Sequence, residues 1–405
     1  MRRRSVLAAG LLSAIATATL TQYSFAQSNI KIGVTTAVQL QVGRDTQEAV
    51  KMAIEDINAK GGVLGRKLEM VVADETENPE TGINAIRKLT AEEKVDVLVG
   101  GYTSGVTLAQ LPHITRAKTI YLGVGAASPA VTARVKARYD ENKYIFRVFP
   151  IHSGHQARQM TTFISEFIGK ELGLKKIAIV GENAKWVQDL VPILKKGATE
   201  AGADVTFTEL FDSQTSDFSP LFSKARDSGA QFLTVILSHA SSDIFAKQWH
   251  DSQFPMPYGG IDVKSMDGDF CERIGGKSVS QIAANFAVRA PLTPKTIPFF
   301  DEFKKRTNRV PVYTALGAND AVYMYAEAVA KAGSTDPDAV IKALEPASYV
   351  GIAGQMEFDE NHDVKAGGKY PSLLFAQWRA DCSREVVFPE ELRTADPIMP
   401  PWIKK

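Results

Sequence analysis

The sequence of 405 residues has no excess of basic charge and no long apolar run after its first 26 residues. No later stretch approaches the roughly 18 apolar residues that a membrane-spanning helix needs, so we expect the mature chain to be free of the membrane. The 47 basic and 46 acidic residues nearly balance, which disfavours nucleic acid as a partner. Low-complexity segments, heptad runs and solenoid repeats are also missing. The composition, 44% hydrophobic and 23% charged, is that of an ordinary globular protein. The chain is long enough for two cores of about 150 to 200 residues each.

The first 26 residues have the pattern of a secretory signal peptide. Three arginines at positions 2–4 precede an apolar run over residues 6–20, and Ser-Phe-Ala at 24–26 is a small-x-small cleavage pattern. We therefore expect export and cleavage after Ala26, with the Sec and twin-arginine routes both open. Loss of the three arginines changes the formal net charge of the mature chain to −2.

Cysteine is scarce, since only Cys271 and Cys382 occur. Export permits disulfide formation, so the two residues form either one disulfide or two unpaired thiols. The residue directly after the predicted cleavage site is not a cysteine, so we expect no lipid anchor on a cysteine there.

Short apolar strands alternate with amphipathic helices along the mature chain. Residues 30–35 and 68–74 predict strands, and residues 45–58 predict the helix between them, with Asp45 and Thr46 as capping candidates. This βαβ unit predicts a parallel sheet with helices on both faces. The following units predict helices at 79–93 and 104–117 and strands at 95–99 and 119–124.

A second series of the same kind follows residues 144–150, so we expect two α/β lobes. Its predicted helices are 153–172, 187–201 and 218–228, and its predicted strands are 176–180, 204–211 and 231–237. Helices at 296–307, 314–332 and 336–345 and strands at 355–358, 372–378 and 384–388 complete the expected elements.

The stretch "VGGYTSG" lies where a predicted strand ends and a predicted helix begins. Ligands of open parallel sheets bind beyond the carboxyl ends of the strands, where helix N-termini converge. Thr103 and Ser104 offer hydroxyls beside unpaired backbone N–H groups, an arrangement that suits a carboxylate. The alternative is that one of these hydroxyls only caps the helix.

Residue patterns for catalysis, cofactors and metals are weak. Gly123 and Gly125 follow a strand, but the Ser-Pro pair at 128–129 stands where a dinucleotide loop needs its third glycine. Ser104 is one place late for a G-x-S-x-G nucleophile elbow. The H-x-x-H at 152–155 lacks an obvious acidic third ligand, which favours a capping or solvent-facing role over a metal site. We expect no catalytic residue, cofactor or metal.

Four segments together resemble the type I periplasmic solute-binding proteins of the leucine/isoleucine/valine-binding group, over nearly all of the mature chain. The segments are residues 43–74, 97–112, 125–132 and 144–150, and "EDINAKGGVLGRKLE" is the most specific string. The resemblance implies an α/β fold of two Rossmann-like lobes with parallel-rich sheets, joined by a three-strand hinge. It also implies a monomeric periplasmic protein that delivers an amino acid, an amide or another small carboxylate to an ABC permease/ATPase complex.

The resemblance also predicts how the chain divides. Lobe 1 is expected at 27–148 and 286–350, and lobe 2 at 149–285 and 351–405, with crossovers near 147–151, 284–289 and 349–355. Both cysteines fall in lobe 2, which favours the disulfide.

Ser104 matches the hydroxyl that takes the ligand carboxylate in this family, and Gly125 and Ala126 match backbone positions that complete the first-lobe site. Three positions depart from the family pattern. Ala127 replaces a threonine that helps to hold the α-amino-acid head group, and Trp186 replaces a tyrosine. The third departure lies in the predicted loop "YGGID".

In that loop Ile261 stands where the family has the acid that meets the ligand ammonium, and Asp262 follows one place later. If Ile261 occupies that place, a carboxylate without an ammonium is favoured, because an unpaired buried ammonium costs several kcal/mol. If Asp262 reaches in, an amino acid remains open. Trp186 and Tyr102 are candidates for stacking on a ring. The predicted ligand-binding set is Gln41, Tyr102, Thr103, Ser104, Gly125, Ala126, Ala127, Trp186, His239 and Asp262.

Two rival functions use the same residues. A sensor would present its closed state to a membrane receptor, and an exported hydrolase would use Ser104 for turnover.

Overall fold

The computed structural model describes residues 28–403 and contains two α/β lobes, each built on its own sheet. The predicted signal peptide lies outside these residues. No helix in the described part of the chain is long and apolar enough to cross a membrane. The strands are β1 Ile30–Thr36, β2 Leu68–Asp74, β3 Val97–Gly100, β4 Ile120–Gly123, β5 Ile145–Arg147, β6 Lys176–Glu182, β7 Asp204–Phe211, β8 Phe232–Leu237, β9 Tyr258–Asp262, β10 Ile282–Asn285, β11 Ser348–Val350, β12 Gln355–Glu357, β13 Leu374–Trp378 and β14 Arg384–Phe388.

The predicted helices are observed to within a few residues at most ends, whereas the helices at Arg134–Ala137, Tyr139–Asn142, Ser241–Asp251 and Phe270–Arg273 were not predicted. They are α1 Gln41–Ala59, α2 Pro79–Arg87, α3 Ser104–Ala117, α4 Arg134–Ala137, α5 Tyr139–Asn142, α6 Ser153–Thr162, α7 Lys185–Glu200, α8 Ser219–Asp227, α9 Ser241–Asp251, α10 Phe270–Arg273, α11 Thr296–Thr307, α12 Tyr313–Ala332 and α13 Pro337–Leu344. The helices predicted at 79–93 and 153–172 each end in π-helical turns, Lys88–Glu92 and Phe163–Glu171.

Lobe 1 contains the five-stranded sheet, in the order β2-β1-β3-β4-β5 with all neighbours parallel. Every residue of the short strands β3 and β4 is buried, as expected when helices cover both faces of a parallel sheet. Helix α1 buries the predicted apolar stripe against this lobe, and α12 returns late in the chain to pack on α1.

Helix α1 begins at Gln41, so Asp45 and Thr46 lie inside it and the predicted caps are wrong. Asp45 is fully buried and its carboxylate bonds Arg309 at 2.7 Å. Thr46 donates its hydroxyl to the carbonyl of Val42. A tertiary ion pair therefore accounts for the aspartate that looked like a local capping signal.

Lobe 2 contains the seven-stranded sheet, in the order β14-β13-β10-β9-β8-β6-β7. The five strands in the order β10-β9-β8-β6-β7 are all parallel to their neighbours. The β13–β14 hairpin pairs antiparallel with β10 and forms the other edge of the sheet. The stretch "YGGID", predicted as a loop, is the buried strand β9. Strand β12 pairs with β11, outside both main sheets.

The end of β5 forms a buried ion pair with a segment late in the chain. Arg147 ends β5 and is 1% exposed, and its guanidinium bonds Asp363 at 2.6 Å. The ring of His362 stacks on Phe146 with centroids 4.0 Å apart. These contacts tie the segment around His362 and Asp363 to the end of the lobe 1 sheet. The residue boundaries given above for the lobes remain a prediction.

In lobe 2 the Sγ atoms of Cys271 and Cys382 are joined as a disulfide, with Cα atoms 5.5 Å apart. The bond links α10 to the turn between β13 and β14, and Cys271 is completely buried.

Candidate functional site

A cavity of about 240 Å³ lies between the two lobes. A cavity of this size accommodates a small organic molecule. Its lining from lobe 1 includes Glu77, Tyr102, Thr103, Ser104, Gly125, Ala127 and Tyr313, and from the crossovers and lobe 2 it includes Ile151, Gln156, Asn183, Lys185, Trp186, Ser238, His239, Ile261, Phe286 and Leu373. Most of these residues follow the carboxyl ends of strands, as ligand sites of parallel sheets do.

Ser104 is the first residue of α3 and is 2% exposed. Its Oγ accepts the backbone N–H of Ser128 at 3.0 Å. A hydroxyl that accepts in this way can still donate its proton to a ligand oxygen in the cavity. Thr103 is the N-cap and makes no side-chain capping bond, so the capping alternative is wrong for this helix. The N-terminal N–H groups of α3 and the Ser104 hydroxyl together suit an anion.

Tyr102 lies at the contact between the lobes. Its phenol donates to the carbonyl of Ser238 at 3.1 Å, and its backbone N–H donates to Glu75 at 2.8 Å. Burial raises the pKa of Glu75 to about 7, although hydrogen bonds from Gln110, Thr35 and Tyr102 oppose the shift. Tyr102 therefore bridges the lobes in addition to lining the cavity.

The segment after β4 contributes backbone and small side chains. A Cβ on Gly125 would lie 2.1 Å from the carbonyl oxygen of Gly101, so only glycine fits there. Gly125 and Ala127 line the cavity, but Ala126 does not. The side chain of Ala126 is buried in the core and its carbonyl accepts from Arg147 Nε, while the predicted role of its backbone toward the ligand stays a prediction.

Ile261 lines the cavity and Asp262 does not. Successive side chains of a strand point to opposite faces, so the two residues cannot exchange places without a shift of β9. The Asp262 carboxylate is 1% exposed and accepts hydrogen bonds from Ser242, Ser265 and Gln281. Burial raises its pKa to about 7, although these bonds oppose the shift. The prediction that Asp262 binds ligand is therefore corrected.

Trp186 and His239, two of the residues predicted to bind ligand, line the cavity from lobe 2. Trp186 is 8% exposed and its indole N–H donates to Ser238 Oγ at 3.3 Å. His239 Nδ1 lies 2.7 Å from the buried carboxylate of Glu182, and its Nε2 lies 3.7 Å from Glu77 of lobe 1. Burial lowers the pKa of His239, but the hydrogen bond and charge of Glu182 outweigh burial and raise it.

Glu182 organises the loop between β8 and α9. Besides His239, it accepts the backbone N–H and hydroxyl of Ser238 and the hydroxyl of Ser241. Burial raises the pKa of Glu182, and the bonds from His239 and Ser241 reverse this, so the net shift is downward. No pattern in the sequence pointed to this carboxylate.

Two predicted features lie away from the cavity. Gln41 begins α1 and its amide donates to Asp45, so the prediction that Gln41 binds ligand is corrected. In the H-x-x-H, His152 Nδ1 accepts the N–H of Gly154 at the start of α6, which is the capping role. Residues 28–403 hold no group of three potential metal ligands.

Several lining residues were not predicted, among them Gln156, Phe286 and Tyr313. They come from α6, a crossover and α12, far apart in sequence. No local motif marks them, and only the crossovers bring them together.

Residues 29–381 match the family model described as periplasmic binding protein. The chain belongs to this family. The relatives to which the chain is similar include proteins described as binding leucine, isoleucine and valine. The chain is 26% identical over 388 residues to the leucine-, isoleucine-, valine-, threonine- and alanine-binding protein of Pseudomonas aeruginosa, an alignment that covers 93% of this chain and 97% of the relative.

Two solved structures share the fold of this family member. A branched-chain amino acid transporter substrate-binding protein of Streptococcus pneumoniae, in complex with isoleucine, superposes with a TM-score of 0.77 at 20% identity, covering 89% of this chain and 100% of that one. A solute-binding protein of an ABC transporter from Rhodopseudomonas palustris, in complex with 3,4-dihydroxybenzoic acid, gives a TM-score of 0.75 at 20% identity, covering 92% and 99%. These matches confirm the two-lobed α/β fold.

Proposed function

We propose that this periplasmic binding protein holds a small carboxylate that lacks an ammonium group, and delivers it to an ABC permease/ATPase complex. The observation that carries the proposal is Ile261 in the cavity wall, with Asp262 turned away into a saturated hydrogen-bond network. The retained carboxylate contact is Ser104 at the start of α3.

An amino-acid ammonium would lack a free partner in this cavity. Glu77 carries the only carboxylate among the described lining residues, and it faces His239 across the lobe boundary. Transfer of an unpaired ammonium out of water costs several kcal/mol, which an apolar wall at Ile261 does not offset. The same wall stabilises an apolar ligand body.

The body of the ligand is best matched by a ring. Tyr102, Trp186, Phe286 and Tyr313 all line the cavity, and aromatic pairs contribute about 0.5 to 1.5 kcal/mol beyond area burial. The relatives in complex with isoleucine and with 3,4-dihydroxybenzoic acid share a ligand carboxylate, and the second ligand lacks an ammonium. Both facts support an aromatic or aliphatic acid here.

Binding closes the lobes and leaves the ligand chemically unchanged. The Tyr102–Ser238 hydrogen bond and the approach of His239 to Glu77 join the two walls only when the lobes are together. A ligand that touches both walls selects this state, which the permease reads. Ser104 Oγ contacts a backbone N–H and not a general base, which disfavours turnover.

A thermal-shift screen of the mature protein tests the proposal. The panel holds benzoates, phenylpropionate, short aliphatic acids, amides and amino acids. Ligand at about 100 times its dissociation constant adds about 2.7 kcal/mol of stability, so binders raise the melting temperature. We expect acids without an ammonium to raise the melting temperature. We also expect the bound ligand to be recovered chemically unchanged. A shift with amino acids only would refute the proposal.

A further inference from the structure

We propose that Gln156 determines specificity within the cavity by selecting ligands that carry a hydroxyl in addition to the carboxylate. The inference rests on the function proposed above and assigns a second polar contact at the same site. Ser104 holds the carboxylate from lobe 1, and Gln156 reads another part of the ligand from α6.

Gln156 is 6% exposed and lines the cavity. Its buried amide oxygen, Oε1, has no hydrogen-bond partner within residues 28–403. Gln159, one turn later on α6, shows the ordinary arrangement, because its Oε1 accepts the backbone N–H of Leu373 at 2.6 Å. The contrast on one helix identifies Gln156 as the amide left for a ligand.

A buried acceptor without a partner is costly, so water or ligand must satisfy Gln156. A ligand that expels water without replacing its hydrogen bond loses affinity, whereas one that supplies a donor keeps it. The donor is a hydroxyl, because an ammonium is disfavoured beside Ile261. A hydroxyl both donates and accepts, so it pairs with the carboxamide in either orientation.

Part of the cavity wall is apolar. Ile151, Phe286 and Leu373 line the same cavity and offer no side-chain hydrogen bond. A site that contains a buried polar group discriminates strongly against an analogue without its partner. The structure therefore favours a hydroxylated acid over the same acid without the hydroxyl.

The test is a set of binding measurements by calorimetry on the mature protein with benzoate and its meta- and para-hydroxy derivatives. We expect wild type to bind at least one hydroxybenzoate about 10-fold or more tightly than benzoate. In Gln156→Leu this preference should fall to within about 3-fold, with affinity for benzoate little changed. The ligand-free variant should melt no lower than wild type, since an unpaired amide is replaced by an apolar group of similar size.

Gln159→Leu is the matched control, because it removes an amide from the same helix that is paired within the protein. It should keep the hydroxyl preference and lower the melting temperature. Equal wild-type affinity for benzoate and both derivatives, or a preference that survives in Gln156→Leu, would overturn the assignment and leave the carboxylate proposal intact. If all three benzoates fail to bind and only amino acids do, both proposals fail.

Discussion

The two walls of the cavity differ in how far they follow the family pattern. On lobe 1, Ser104 and Gly125 keep the positions that hold a ligand carboxylate in the resembling family. On lobe 2, Ile261 and Trp186 stand where the acid and tyrosine were expected, and Gln156 supplies an unpaired amide. On the proposed function, one wall retains the anion contact while the other has changed what it recognises.

The largest expected effect concerns stability, where lobe 2 has a covalent link that lobe 1 lacks among the described residues. The disulfide closes a sequence separation of 111 residues. Reduction should lower the free energy of unfolding by about 2 to 5 kcal/mol, measured by denaturant titration with and without dithiothreitol. Cys271→Ala/Cys382→Ala should match the reduced wild type in either buffer. An unchanged midpoint on reduction would show that the lobes do not differ in this way.

Ile261→Glu should convert the lobe 2 wall toward the family pattern. The added carboxylate repels an anionic ligand in a cavity that excludes water, so affinity for benzoate or phenylpropionate should fall by about 100-fold or more. Affinity for phenylalanine should rise relative to phenylpropionate. Ile261→Val is the control and should change either affinity by less than about 5-fold. If Ile261→Glu binds acids as wild type does, Ile261 does not face the ligand.

Ser104→Ala tests the wall that is retained. Loss of the hydroxyl should weaken binding of every carboxylate by about 5- to 150-fold, or 1 to 3 kcal/mol, in calorimetric titrations. The neighbouring Thr103→Val removes a hydroxyl that makes no capping bond and should cost less than about 3-fold. Equal losses in the two variants would mean that Ser104 has no special role.

The smallest expected effect on ligand affinity concerns Asp262, whose carboxylate lies outside the cavity. Its pKa is raised to about 7 when folded, so its stabilising contribution is present below about pH 4 and is lost as pH rises through 7. The free energy of unfolding of Asp262→Asn should therefore increase relative to that of wild type as pH rises from 5 to 8, by about 1 to 3 kcal/mol. The introduced amide N–H can donate to Gln281 Oε1, which lacks a hydrogen-bond partner among the described residues.

Exposed Asp227→Asn is the control for this pH series and should leave the profile unchanged. A wild-type profile that Asp262→Asn reproduces from pH 5 to pH 8 would contradict a protonated, buried Asp262. Ligand affinity is the second readout, and the variant should keep it within about 3-fold, because Asp262 lies outside the cavity.

Periodicity and turn residues were enough to predict most of the fold, and the α3 helix was predicted with its observed bounds. The start of α1 was missed because Asp45 pairs with Arg309 from a distant segment, which no local pattern reveals. Ser104 was predicted because a strand, two glycines and a helix N-terminus are adjacent in sequence.

The lobe 2 wall could be predicted only in part. Trp186, His239 and the departure at Ile261 were read from the family resemblance, whereas Glu182 and Gln156 depend on burial and on partners far away in sequence. The choice between Ile261 and Asp262 required the pleat of β9, because "YGGID" reads as a loop from its glycine pair.

The most direct test of the central claim compares two ligands that differ only in the α-ammonium. Calorimetric titration of the mature wild type with phenylpropionate and with L-phenylalanine, and likewise with methylpentanoate and L-leucine, measures the contribution of that group alone. We expect the acid without the ammonium to bind at least about 10-fold more tightly in at least one pair, and neither amino acid to bind more tightly than its partner. Tighter binding of phenylalanine or leucine would contradict the account.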